Sequence, residues 1–239
     1  MNKKDRKTTK LLLFDFDGTL TIGMKVRYVD GNHLKSLGLV DRQVTKILEL
    51  DKKFAKKYSG EISKEIDSVD KEIKVHTEHY RYFLKQAEIP EEFRHSVVES
   101  MIDNRMKRVS FEVEKETYEI LKRLRKKFKL AILSNALPSR TREIQSTSLD
   151  KYVDKVCISN LIGLFKPNRD IYEYVANEFG LGIENLLLVD DKLETIEKTI
   201  QNGVQSIWIN HNRGNTKTDL PFPTVSNLVE LEEILGNAR

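Results

Sequence analysis

The amino-acid sequence predicts an α/β fold: a Rossmann-like three-layer sandwich with a parallel sheet, plus an inserted α-helical cap subdomain. Two patterns predict it. Short apolar runs without two-residue alternation recur between amphipathic segments, and one long stretch has helical spacing but no strand. Such runs are typical of strands buried on both faces, as in a parallel sheet. Strands that alternate with helices predict right-handed β-α-β units.

The predicted core consists of residues 1–22 and 109–239. Its strands are expected where the apolar runs lie, at residues 11–14, 130–133, 156–158, 186–189 and 204–209. Its helices are expected where apolar residues recur at helical spacing, at residues 113–128, 140–149, 169–179, 193–201 and 228–235.

Residues 23–108 are predicted to form the helical cap. One stripe of a single helix is predicted by apolar residues at steps of three and four: Ile62, Ile66, Val69, Ile73, His76, Tyr80 and Phe83. An earlier helix carries Ile47, Leu50, Phe54 and Tyr58, and Ser59-Gly60 predicts a break between the two. Pro90 is expected to open a further helix.

Composition limits the function. The 239 residues, 39% of them hydrophobic, suffice for a buried core. The 41 basic and 37 acidic side chains are too evenly balanced to predict a nucleic-acid polymer as partner. A membrane span and a secretory signal are not predicted, so a cytoplasmic protein is expected. Oligomeric state carries no prediction. The single cysteine, Cys157, excludes an intramolecular disulfide, and its apolar neighbours favour a core residue over a reactive thiol.

The first candidate site residues are two aspartates. Asp15 ends an apolar run, and Asp17 follows two residues later, before Gly18. Residues two apart in an extended chain point the same way, so both carboxylates are expected at the strand's carboxyl end, where α/β sheets bind ligands. A hairpin turn is the alternative, but no matching strand follows. Carboxylates about 4 Å apart repel by about 4 kcal/mol at an effective dielectric of 20, which favours a bound cation such as Mg²⁺ or a shared proton.

Polar residues also follow other predicted strands. The hydroxyl of Ser134 and the amide of Asn135 can donate to phosphate oxygens, and Lys166 can offset charge on a transferring phosphoryl group. The pair Asp190-Asp191 follows another apolar run. Taken alone, Lys166 is explained by an ordinary surface lysine, and the Asp190-Asp191 pair by a helix N-cap.

Together these residues resemble the haloacid dehalogenase (HAD) superfamily. Four segments occur in its order: Asp15-x-Asp17-Gly18-Thr19-Leu20, Ser134-Asn135, Lys166-Pro167 and Val189-Asp190-Asp191. The resemblance covers roughly residues 8–22 and 110–236. A helical insert after the first segment is similar to the C1-type cap of phosphoglycolate phosphatase-like and nucleotidase-like members.

The resemblance implies a Mg²⁺-dependent phosphatase that acts on a small phosphorylated metabolite. Asp15 would be the nucleophile that forms an aspartyl-phosphate, and Asp17 the general acid and base. Ser134, with Asn135, would bind the phosphoryl group, and Lys166 would offset its charge. Mg²⁺ would be held by the Asp15 side chain, the Asp17 backbone carbonyl and Asp191.

The resemblance also narrows the activity. Dehalogenating members lack an aspartate at the position of Asp17, which favours a phosphatase. Thr195 stands where some members carry a second acidic residue, and Asp190 is the candidate to share that role. A phosphomutase with the same intermediate, a receiver-type signalling domain and a non-catalytic binding protein are the alternatives. The substrate is expected to be chosen by the cap, where Arg81, Arg105, Lys107 and Arg108 are either substrate contacts or solvated side chains and His76 either a contact or a core residue.

Overall fold

The computed structural model describes residues 9–21, 29–57, 64–107, 111–211 and 220–236. They divide into two compact units. The core unit contains residues 9–21, 111–136, 140–211 and 220–236, and the cap unit contains residues 29–57, 64–107 and 137–139. The predicted boundaries near residues 22 and 108 fall outside the described residues.

The described part of the core unit contains a six-stranded parallel sheet in the order β3-β2-β1-β4-β5-β6. Its strands are β1 (Leu11–Phe14), β2 (Lys129–Ser134), β3 (Lys155–Ile158), β4 (Leu186–Asp190), β5 (Gln205–Ile209) and β6 (Thr224–Val225). The predicted α/β fold class is confirmed. The short edge strand β6 was not predicted, because two residues are too few to show an apolar run.

Helices cover both faces of the sheet. In the core unit they are α5 (Lys115–Leu124), α6 (Arg140–Ser146), α7 (Ser159–Ile162), α8 (Arg169–Glu178), α9 (Leu193–Gln201) and α10 (Leu228–Gly236). The helix predicted at residues 113–128 is shorter at both ends, since α5 starts at Lys115 and ends at Leu124. The one predicted at residues 140–149 ends at Ser146, and a 3₁₀ turn, Leu149–Tyr152, follows.

Strand β1 explains why its sequence is continuously apolar. Leu12 and Phe14 pack into one core cluster, whereas Leu11 and Leu13 pack into the cluster on the other side of the sheet. All four side chains are fully buried. Each buried leucine or phenylalanine contributes roughly 2 kcal/mol of hydrophobic free energy, so β1 anchors the centre of the sheet and fixes the residues that follow it.

The described part of the cap unit is helical. It contains α1 (Gly31–Ser36), α2 (Asp41–Lys57), α3 (Val69–Gln86) and α4 (Glu91–Lys107), around a separate apolar cluster that includes Ile47, Tyr80, Phe83, Leu84 and Met101. The helix expected after Pro90 is confirmed as α4, whereas α1 was not predicted.

The prediction of one helix over residues 62–83 is wrong at its start. Helix α3 begins at Val69, because Ser68 adopts an extended backbone and its side chain accepts a hydrogen bond from the Lys71 N–H at 3.3 Å. Ile66 is buried but lies before the helix. Ile62 and the predicted break at Ser59-Gly60 lie outside the described residues.

Cys157 lies on β3 and is buried, as predicted for a core residue. Burial raises the pKa of its thiol to about 11, so the unreactive protonated form dominates near neutral pH. Among the helices of the described residues, none is long and apolar enough to cross a membrane.

Candidate active site

The parallel sheet brings three polar strand ends to one edge. Phe14 lies opposite Ile132 of β2 and Val189 of β4, so Asp15 leaves β1 beside the last residues of both neighbours. The Asp15 N–H donates to the Val189 carbonyl at 2.9 Å, which continues the ladder one residue past β1. Asp15, Ser134 and Asp190 therefore meet at the carboxyl edge of the sheet, as the strand prediction requires.

Lys166 joins two of these carboxylates. Its Nζ donates to Asp15 Oδ1 at 2.7 Å and to Asp190 Oδ2 at 2.6 Å. All three side chains are at most 7% exposed. Asp190 also accepts a hydrogen bond from the Lys192 N–H through Oδ1, at 2.9 Å. The sequence left the role of Asp190 open, and the structure shows it as the second carboxylate on the lysine.

The electrostatics of this group follow from burial. Burial raises the pKa of Asp15 to about 6. The charge of Lys166 opposes this rise, and the charge of Asp190 adds to it. Burial disfavours the charged form of Lys166, but the two carboxylates outweigh it and raise the pKa of the ammonium group. Lys166 is therefore a permanent cation in contact with Asp15.

Asn135 holds the backbone of Lys166. Its side-chain Nδ2 donates to the Lys166 carbonyl at 2.7 Å, and its Oδ1 accepts from the Lys166 N–H at 2.9 Å. The peptide bond between Lys166 and Pro167 is cis. The side chain of Asn135 thus fixes the residue that carries the cation, and its predicted role in phosphate binding stays a prediction.

Ser134 is placed as predicted, at the end of β2. Its side chain is buried, and its Oγ has no hydrogen-bond partner among the described residues. A buried hydroxyl without a partner costs free energy, so Ser134 Oγ is available to bond a ligand group.

Asp17 is the more accessible of the first two aspartates, with a side chain that is 39% exposed. Its Oδ1 accepts a hydrogen bond from Arg140 Nη1 at 3.0 Å. Arg140 begins α6 and is buried. Arg140 was absent from the predicted site, and no pattern in the sequence links it to a residue 123 positions earlier.

The acidic residues at this edge suit a metal ion. One carboxylate oxygen each from Asp15, Asp190 and Asp191 lies within 4.8 Å of the others. Asp15 Oδ2 and Asp191 Oδ1 are buried without a hydrogen-bond partner among the described residues. Burial and the neighbouring Asp190 raise the pKa of Asp191. Crowded, partly unsatisfied carboxylates fit a hard divalent cation with oxygen ligands.

Two neighbours shape the turn that holds Asp191. A Cβ at Gly18, where φ is +74°, would come within 2.5 Å of Asp191 Oδ2, so only glycine permits this approach. The indole Nε1 of Trp208 donates to the Asp191 carbonyl at 2.8 Å. Trp208, which lies in the apolar run 204–209, is buried and also fixes the backbone of a candidate metal ligand.

The cap unit holds its own buried polar cluster. Glu72 of α3 is fully buried and accepts from the backbone N–H and the hydroxyl of Ser139, both at 2.8 Å. Arg105 Nη2 lies 3.5 Å from Glu72 Oε1, so this arginine, predicted as a substrate contact or solvated side chain, is a buried ion-pair partner. His76 is buried beside them, and burial and then the charge of Arg105 lower its pKa to about 2.

Comparison with known proteins shows the class to which this fold and site belong. A family model described as haloacid dehalogenase-like hydrolase matches residues 9–197, which is most of the chain. The chain therefore belongs to the haloacid dehalogenase-like hydrolases, as the sequence motifs predict.

Two relatives whose names state an activity are matched over shorter stretches. The chain is 32% identical to pyrimidine 5'-nucleotidase YjjG of Escherichia coli (strain K12) over 120 residues, 48% of this chain and 53% of that protein. It is 27% identical to 5-amino-6-(5-phospho-D-ribitylamino)uracil phosphatase YigB of the same organism over 142 residues, 57% of this chain and 58% of that protein. The chain thus spans little more than half the length of these curated relatives.

The whole fold is matched by solved structures of the family. A 2-haloacid dehalogenase from Pseudomonas syringae pv. Tomato DC3000 superposes with a TM-score of 0.70 over 97% of this chain and 100% of that chain. The two sequences are 17% identical, so the likeness concerns the fold and not the reaction.

Proposed function

We propose that this chain is a Mg²⁺-dependent phosphatase that hydrolyses a small phosphomonoester through an aspartyl-phosphate on Asp15. The observation that carries the proposal is the asymmetric environment of the Asp15 carboxylate. Oδ1 is held by Lys166, whereas the buried Oδ2 has no hydrogen-bond partner among the described residues. A buried oxygen without a hydrogen-bond partner costs about 1–3 kcal/mol of stability. The unpaired Oδ2 therefore supports a role in which a substrate or a metal supplies the missing partner.

Mg²⁺ fits the residues present. Asp15 and Asp191 would hold it through their side chains, and Asp17 through its backbone carbonyl, as the family resemblance implies. Asp190 lies in the same acidic group but is already bound to Lys166. When bound, Mg²⁺ supplies positive charge that offsets the negative charge of the phosphoryl group.

In the first step, an oxygen of Asp15 attacks phosphorus and forms the O–P bond, while the bond from phosphorus to the ester oxygen breaks. Asp17 donates a proton to that oxygen as it leaves. Ser134 Oγ donates to a phosphoryl oxygen, and the ammonium of Lys166 offsets charge beside the same group. Lys166 is suited to this task because it is buried, fixed by Asn135 and permanently charged.

In the second step, a water molecule attacks the phosphorus of the aspartyl-phosphate. Asp17, now deprotonated, accepts a proton from that water, and the bond from phosphorus to Asp15 breaks. Inorganic phosphate and the starting form of the enzyme result. Asp17 suits both proton transfers because it is the partly exposed member of the pair and can meet the leaving group and the water.

Asp17 also supports phosphatase over dehalogenase activity. The superposition with a dehalogenase concerns the fold alone, whereas dehalogenating members lack an aspartate at this position. The two curated relatives are, by name, a nucleotidase and a phosphatase whose named compounds are phosphorylated and contain a pyrimidine ring. We therefore place pyrimidine nucleoside 5'-monophosphates and ribitylamino-pyrimidine phosphates first among the candidate substrates, followed by sugar phosphates and phosphoglycolate.

The test is hydrolysis of 4-nitrophenyl phosphate with and without Mg²⁺ by the wild type, Asp15→Asn and Asp17→Asn. The expected result is Mg²⁺-dependent release of phosphate by the wild type and its loss in Asp15→Asn. Asp103→Asn makes the same chemical change at an exposed position of α4 and is expected to leave the activity unchanged. An inactive wild type, or full activity in Asp15→Asn, contradicts the proposal. Appearance of the phosphoryl group on an added sugar phosphate, in place of free phosphate, indicates a mutase.

A further inference from the structure

Arg140 occupies an unusual place for an arginine. Its side chain is 7% exposed. The guanidinium carbon lies 4.6 Å from the centre of the Phe111 ring and 5.4 Å from that of Phe16. The two rings contact each other edge to face, with centres 4.6 Å apart. A planar guanidinium against aromatic rings has few alternative positions, so Arg140 is held rigidly.

Two carboxylates share this fixed cation. Arg140 Nη1 lies 3.0 Å from Asp17 Oδ1 and 3.1 Å from Glu143 Oε2, one turn further along α6. Arg140 Nε is buried without a hydrogen-bond partner among the described residues. Arg140 is therefore buried within reach of Asp17, although one of its N–H groups has no hydrogen-bond partner among the described residues.

Asp17 needs an anchor of this kind. Its side chain is partly exposed and follows β1 in a turn, where an aspartate can adopt several rotamers. General acid and base catalysis requires the carboxylate within hydrogen-bond reach of the reacting oxygen, and a misplacement of about 1 Å can cost on the order of 10²-fold in rate.

We propose that Arg140 is a positioning residue that orients the Asp17 carboxylate for proton transfer. This inference rests on the proposed phosphatase function, in which Asp17 is the acid and base. Glu143 also pairs with Arg140, so the buried cation keeps an anionic partner while Asp17 carries a proton. Arg140 thus fixes the direction of Asp17 without depending on it for charge balance.

A purely structural role for Arg140 predicts a different outcome. If Arg140 only joined α6 to the turn after β1, its loss would slow the reaction of every substrate by the same factor. A misdirected acid instead slows the reactions that need a proton on the leaving group. Formation of the aspartyl-phosphate from 4-nitrophenyl phosphate needs little protonation, because nitrophenolate is a stable anion. Formation from an alkyl phosphate needs it fully.

The experiment compares kcat/KM for 4-nitrophenyl phosphate with kcat/KM for the alkyl phosphomonoester that the wild type hydrolyses best. The variants are Arg140→Gln, Arg140→Lys and the control Arg142→Gln, which removes the same charge from an exposed position on α6. For Arg140→Gln, we expect kcat/KM to fall on the order of 10²-fold with the alkyl ester and less than about 5-fold with the aryl ester. Arg140→Lys keeps the charge without the planar fork and should show an intermediate split.

Each outcome decides the inference. An equal loss on both substrates in a folded Arg140 variant, or no loss, overturns it. If Arg140→Gln does not fold, the same comparison in Arg140→Lys decides. Arg142→Gln is expected to match the wild type. If Arg142→Gln loses as much more kcat/KM on the alkyl ester than on the aryl ester as Arg140→Gln does, the inference is also overturned. A wild type that hydrolyses neither ester refutes the proposed phosphatase function itself, whereas an active wild type with an unchanged substrate ratio in the Arg140 variants refutes the positioning role alone.

Discussion

Replacement of Lys166 with methionine tests the charge arrangement at the centre of the site. Lys166→Met keeps most of the apolar stem but removes the ammonium that joins Asp15 and Asp190. Oxygens of these two carboxylates lie within 4.8 Å of each other. At an effective dielectric of 20, two unit charges at that distance repel by about 3.5 kcal/mol. Loss of one partner from a buried ion pair costs about 3–5 kcal/mol, so both estimates predict a similar loss.

We therefore expect Lys166→Met to lower the free energy of unfolding by roughly 3–4 kcal/mol at pH 8 in the presence of a chelator. The assay is urea unfolding followed by circular dichroism. Without the lysine, which lowers it, the folded-state pKa of Asp15 rises further above its unfolded value. The variant then loses stability as pH rises from that unfolded value through the raised folded value, so its deficit should be larger at pH 8 than at pH 5.

Two further variants make the result specific. Asp190→Asn in the Lys166→Met background removes one of the repelling charges and keeps an oxygen for the Lys192 N–H, so it should restore most of the lost stability. Lys198→Met breaks an exposed pair with Glu194 on α9 and should cost less than about 0.5 kcal/mol. A Lys166→Met protein that is no less stable than Lys198→Met, or an Asp190→Asn change that restores no stability, contradicts this charge arrangement.

Two other predictions concern the cap unit and the metal site. His76 has a folded-state pKa of about 2, so its neutral form stabilises the fold above the unfolded pKa of about 6.5, and that contribution is lost as pH falls. Between pH 7.5 and 5.5 the free energy of unfolding should fall by about 1.4 kcal/mol through this residue, and His76→Gln should abolish that part of the slope; an unchanged slope contradicts the assignment. Trp208→Phe removes the hydrogen bond to the Asp191 carbonyl and should weaken the apparent Mg²⁺ affinity by about 10-fold, with kcat at saturating Mg²⁺ nearly unchanged; equal Mg²⁺ dependence in both proteins would show that Trp208 serves packing alone.

The parts of the fold that the sequence predicts are those governed by local burial. Strand β1, and strand β4 up to Val189, are apolar at every position because helices cover both faces of the sheet, and this produces a continuous apolar run in the sequence. The placement of Asp15 and Asp190 follows from the ends of those runs together with parallel pairing.

Contacts between distant segments are not predictable in this way. Asn135 binds the backbone of Lys166, 31 positions away, and Arg140 binds the side chain of Asp17, 123 positions away. Neither contact leaves a periodic pattern in the sequence. The start of α3 was missed for a different reason. Ile66 is buried like a helix residue, so its spacing extends the apolar stripe past Ser68, where the capping hydrogen bond begins the helix.

Phosphorylation of Asp15 is the step on which the proposed reaction depends. To detect it, Asp17→Asn protein is mixed with 4-nitrophenyl phosphate and Mg²⁺, the reaction is quenched in acid, and any added phosphoryl group is located by peptide mass spectrometry. Asp17→Asn should slow hydrolysis of the intermediate more than its formation, because nitrophenolate leaves without a proton. We expect one phosphoryl group on the peptide that contains Asp15 and none in the Asp15→Asn, Asp17→Asn double variant. A phosphoryl group on another residue, or nitrophenol release without a labelled Asp15, would contradict this expectation.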